Sequence, residues 1–71
     1  MKSPLPIWRR DDNSIVACTE KIKVMEDNFK EIAQLMQDAF EDGILMEVNE
    51  LQMRSTFHLL VDGLVNPYLK K

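Results

Sequence analysis

A single cysteine, Cys18, leaves no intrachain disulfide to form. A stapled, secreted scaffold is therefore excluded, and a reducing, cytoplasmic setting is the expectation. Only two glycines interrupt the 71 residues, and 45% hydrophobic with 30% charged side chains is the composition of a folded helical chain, not of a disordered tail. No apolar run approaches the roughly 20 residues of a membrane span, so no membrane partner is expected. Nor does the start read as a secretory signal: Pro4 and Pro6, then Arg9, Arg10, Asp11 and Asp12, break any apolar core of such a peptide. Positive charge is also scarce. The net charge is −3, and the nine basic residues are scattered over the two termini, the first helix and, as Arg54, the second. That distribution argues against a nucleic-acid surface, which needs clustered lysines and arginines facing phosphates.

Catalytic chemistry is equally thin. One cysteine, one histidine, one tyrosine and serines at 3, 14 and 55 supply few nucleophiles or acid–base pairs. Cys18 falls on an apolar stripe and reads as a small buried hydrophobe. His58 stands four residues before Asp62 and reads as a rim histidine paired to it, with a pH-sensitive contact as the sharper reading. No Glu-x-x-His motif is present, and no metal or other cofactor is expected. An EF-hand reading of the acidic stretch from Asp38 fails, because Phe40 takes a ligand position and Asn49 stands where a bidentate Glu is required. The chain reads as a non-enzyme.

What is present is helical periodicity. Ile15, Cys18, Ile22, Met25, Phe29, Ile32, Met36, Ala39, Gly43 and Met46 follow a 4-3 rhythm, with polar residues between them. Such spacing holds one apolar stripe on one face, and Ala33 and Phe40 widen it to that of a bundled helix. Lys23–Asp27 and Glu26–Lys30 add i,i+4 pairs. Asn13 or Ser14 is the expected cap, giving a first helix over about 14–45. The rival start is Thr19, with "IWRRDDNSIV" as two short extended stretches about a polar turn. A second helix is expected over about 50–65. Asn49 is its cap, with Gln52 three residues on, Val48 and Met53 can act as a staple, and Asn66-Pro67 serves as its stop. Met53, Phe57, Leu60, Val61 and Leu64 form its stripe, while Leu51, Leu59 and Val65 carry apolar groups to other sides.

The expected fold is all-α: an antiparallel αα-hairpin over 14–66, an extended arm over 1–13 and a tail over 67–71, with Lys70 and Lys71 frayed. Helix one would be roughly 48 Å long and helix two roughly 24 Å. Helix two would then leave Ile15, Cys18, Ile22 and Met25 uncovered. The arm, with Leu5, Ile7 and Trp8 beside Arg9 and Arg10, could fold back over them, since five extended residues reach about 16 Å. A second copy could cover them instead, two hairpins making a four-helix bundle. The candidate interaction surface is accordingly Leu5, Ile7, Trp8, Arg9, Arg10, Ile15, Cys18, Ile22, Met25, Leu51 and Leu59. The expected role is a dimerisation or protein-interaction module. In the alternative, the PLPIWRR arm docks onto a partner protein with Trp8 as anchor and the arginines as rim charges.

Overall fold

The computed structural model describes residues 5–68. Pro4, Lys70 and Lys71, which figure in the arm and tail expected above, lie outside them. Among the described residues the structure is all-helical, with α1 over Thr19–Leu45, α2 over Glu50–Asp62 and no strand beyond one isolated bridge. The chain divides between Asp38 and Ala39 into two compact units, and α1 runs from the first into the second.

In the N-terminal unit the helix begins at Thr19, not at Ser14. The residues before it are committed to a different hydrogen-bond pattern. Arg9 and Ile15 form an antiparallel bridge, the Val16 N–H donates to the Trp8 carbonyl at 2.9 Å, and the Arg10 N–H donates to Ser14 O at 2.8 Å. A backbone N–H spent in this way cannot also close a helical turn. The β-branched Ile15 and Val16 suit the extended conformation. Asp11, Asp12 and Asn13 make the reversal, with an Asn13 N–H to Arg10 carbonyl bond of 2.8 Å and Asn13 itself in the left-handed region at φ 71°. Asparagine is among the few side chains that tolerate this region, and a residue so placed completes a three-residue hairpin loop.

Side chains clamp this turn from both legs. The Arg9 guanidinium donates to the Asn13 carbonyl at 2.9 Å, and that of Arg10 donates to the Ile15 carbonyl at 2.9 Å and to Ser14 Oγ at 3.3 Å. Asp12 Oδ1 accepts from the Ser14 N–H at 2.9 Å and from the Ser14 hydroxyl at 2.6 Å. These bonds, the hydroxyl's first, hold the Asp12 carboxyl below its ordinary range. Along α1 the Lys23–Asp27 pair closes at 2.8 Å, raising the lysine's pKa and lowering the aspartate's. The Glu26–Lys30 spacing makes no such pair.

The C-terminal unit holds the end of α1, the reversal and α2. Val48 N–H donates to Gly43 O at 2.9 Å and Glu47 N–H to Ile44 O at 3.0 Å, with Glu47 at φ 66°. These nested bonds are a Schellman motif in which a glutamate occupies the left-handed position that glycine usually takes. α2 then starts as its residues dictate: Asn49 Oδ1 accepts from the Gln52 N–H at 3.0 Å, and Glu50 pairs with Arg54 at 3.1 Å. The helix ends at Asp62, short of the expected 65. The Gly63 N–H bonds back to Leu59 and Val61 carbonyls, and Leu64 N–H follows with a 3.1 Å bond to Val61 O. Asn66 acts later, accepting from the Tyr68 N–H at 2.9 Å across Pro67.

Helix–helix contact in this unit centres on Gly43, the one buried position among the described residues. Its missing side chain makes room for Met53, whose sulfur stands where a Cβ would go. Beside it the Arg54 guanidinium lies 4.9 Å from the centroid of the Phe40 ring, a cation–π contact. Because Glu47 sits in the left-handed region at a cost of about 1–2 kcal/mol, Glu47→Gly is expected to stabilise the fold by about 0.5–1 kcal/mol after the greater chain entropy of glycine is set against it. A circular-dichroism melt reads this as a higher Tm, and an unchanged or lower Tm contradicts the motif.

Candidate interaction surface

The arm does fold back on its own helix. Trp8 is half-buried, with its ring centroid 5.2 Å from that of Phe29 and the planes inclined at 34°. That tilted arrangement is a favourable one for aromatic pairs. Its indole N–H is shut off from solvent without finding an acceptor. Such an orphan costs about 1–3 kcal/mol, so Trp8 is held by apolar contact and not by its polar handle. Trp8, Arg9, Val16, Glu20, Lys21, Val24 and Met25 together line an open, mainly apolar groove between the arm and the first three turns of α1.

The expected surface residues divide accordingly. Leu5, Trp8, Ile22 and Met25 are half-buried within this unit, whereas Ile7 is 66% and Ile15 49% exposed. Ile15 does not belong to the helical stripe at all, because it lies on the return leg of the turn. Arg9 and Arg10 are not loose rim charges, since both are spent clamping the turn. Leu51 and Leu59 on α2 are about 70% exposed.

Cys18 requires a correction. It is exposed, not a buried hydrophobe, since α1 begins one residue later and Cys18 occupies the cap, its carbonyl accepting from the Ile22 N–H at 3.0 Å. The backbone N–H groups of Lys21 and Glu20 pull the thiol below its ordinary pKa, as unpaired donors at a helix start do for an anion. His58 is exposed and makes no hydrogen bond or ion pair with Asp62. Among the described residues no group of histidine, cysteine and carboxylate side chains is placed to hold a metal ion, and no helix is long and apolar enough to cross a membrane.

Two features escaped the sequence reading. Val24, 58% exposed, forms part of the groove wall, and Leu35 is 71% exposed. Both lie off the 4-3 stripe, yet their spacing of eleven, close to three helical turns, puts them on a common face and was a legible signal of a second apolar side. No large apolar side chain among the described residues is fully buried. Beyond those above, Leu45, Met46, Leu60, Leu64 and Val65 are each more than 60% exposed. No family model, curated protein or solved structure matches the chain.

Two measurements test this account. Trp8→Ala should lower stability by about 2 kcal/mol, the loss expected for truncating a half-buried indole. Trp8→Phe keeps the ring contact and removes the orphan N–H, so it should cost far less, and equal losses would show that the ring is not packed. For Cys18, the rate of alkylation by iodoacetamide should become half-maximal at a lower pH in the native protein than in denaturant. By linkage, the same lowered pKa contributes stability that is present above the unfolded thiol's value, about 8.5, and is lost as pH falls through the folded one. Identical rate profiles in the two states would exclude the cap geometry.

Proposed function

We propose that this chain is a small non-enzymatic helical interaction module that works as a homodimer, two hairpins joined about a twofold axis into a four-helix bundle. One observation carries the reading. Among the described residues no large apolar side chain is fully buried, and Leu35, Leu45, Met46, Leu51, Leu59 and Leu64 are well exposed. Much of the exposed surface is leucine, isoleucine, valine and methionine on α1 and α2, the composition of a bundle interior.

The alternative, in which the PLPIWRR arm is the ligand-like element for another protein, draws less support. Its anchor is already stacked on Phe29 and its two arginines are committed to the turn, so docking elsewhere would first cost those contacts. Non-enzymatic character is supported by the same distribution of residues: the one thiol and the one imidazole lie in different units, and neither is joined to an acid–base partner. Sedimentation equilibrium across a concentration series from about 1 to 500 µM should give a mass near twice that of one chain over most of the range, with helicity falling as the dimer dissociates. A single-chain mass at every concentration, with helicity unchanged, would remove the dimer.

A further inference from the structure

The groove between the arm and α1 lies wholly within the N-terminal unit, so its shape depends on that unit alone. We infer that it is a binding site for a small amphiphilic anion, an aliphatic carboxylate whose chain lies along the groove and whose charged end meets Lys21 and Arg9. The inference does not rest on the dimer reading and goes beyond it, adding a ligand to the module.

The walls supply the apolar part of the site. Trp8, Val16, Val24 and Met25 bound a space of about 520 Å³ that is open to solvent. That is within the range of about 300–1,000 Å³ of small-molecule sites, which combine a mostly apolar lining with a few polar groups. Trp8 is only half-buried against Phe29, and its indole N–H is closed off from solvent, so the surface its ring presents to the groove is apolar. Val24 is 58% exposed in the same wall. An aliphatic chain laid against these side chains removes their apolar surface and its own from water together.

Charge selects the class of ligand. Arg9, Glu20 and Lys21 are the charged residues of the lining, two cations against one carboxylate, in a chain whose net charge is −3. Among the described residues the Lys21 ammonium makes no ion pair, and its charge helps to lower the pKa of the nearby Cys18 thiol. Arg9 donates to the Asn13 carbonyl, which uses one of its five donors and neutralises none of its charge. Glu20 precedes Lys21 directly, and successive residues on a helix do not face each other. The other charged residues on these turns of α1, Lys23, Glu26, Asp27, Lys30 and Glu31, do not line the groove, and Lys23 is paired with Asp27 at 2.8 Å. An anion in the groove therefore meets two opposite charges and one like charge, and a cation meets the reverse. A carboxylate can accept charge-assisted hydrogen bonds from a guanidinium and an ammonium at once.

The single tryptophan reports on the site, because its ring forms part of the wall. Sodium octanoate titrated into the full chain should change Trp8 emission saturably, with a Kd on the order of 1 mM for a ligand of its size. Octylammonium, the same chain length with the opposite charge, should bind about tenfold more weakly. Lys21→Gln should weaken octanoate binding about threefold, as loss of one partly exposed ion pair does. Lys23→Gln makes the same change in net charge outside the groove and should leave the Kd unchanged, with circular dichroism checking that both variants keep their helicity. That pattern supports the inference. Octylammonium binding as tightly as octanoate overturns the class of ligand, and equal weakening by the two substitutions overturns the site. Emission that does not change, or changes without saturating, overturns the inference altogether.

Discussion

Apolar side chains on α1 and α2 outnumber the surfaces that one chain offers them, and the rest of the structure is shaped by that shortage. A chain of this length has little interior in any case, because the surface it must leave exposed grows faster than the volume it can enclose. Here the shortage is acute. Among the described residues the one buried position is a glycine, and the contacts of Trp8 with Phe29 and of Met53 with Gly43 each stay within one unit. Net stability is a small remainder after conformational entropy has been overcome, so a helix pair with no filled interior needs a second surface to become a stable object. Association with a second copy is the route to that surface that we propose.

Direction changes, by contrast, are handled by polar chemistry. At the N-terminal turn two guanidinium groups bond the carbonyls of Asn13 and Ile15, and one carboxylate accepts from the N–H and hydroxyl of Ser14. At the α1–α2 turn the nested Schellman bonds and the Asn49 cap do the same within a few residues. Both reversals are specified by short-range hydrogen bonds and place a non-glycine residue in the left-handed region. The exposed apolar faces are thereby presented in a defined geometry.

Much of this was legible in the residues. The 4-3 stripe marked α1 from Ile22 onward, Asn49 with Gln52 marked the start of α2, and the polar turn within IWRRDDNSIV was the rival reading of the stretch before α1. The start of α1 was not. Ile15 and Cys18 continue the stripe in register, and the same two positions serve equally well as the second leg and exit of a short hairpin. Periodicity carries no information that separates the two, because the deciding bonds run from Trp8 to Val16 and from Arg10 to Ser14, between residues whose side chains do not announce them. The exposure of Cys18 follows from that single displacement of the helix start.

The amino-acid sequence by itself determined the helical class, the cap of α2 and the excess of apolar side chains over a short chain's capacity to bury them. Each of these depends on residue type and spacing alone. Only the tertiary structure decided that Trp8 lies on Phe29, that both arginines are spent on a turn, that a glutamate closes α1, and that Cys18 ends as an exposed cap with a lowered pKa. Those outcomes depend on which of several competing backbone and side-chain hydrogen bonds the folded chain makes, and residue type and spacing do not choose between them.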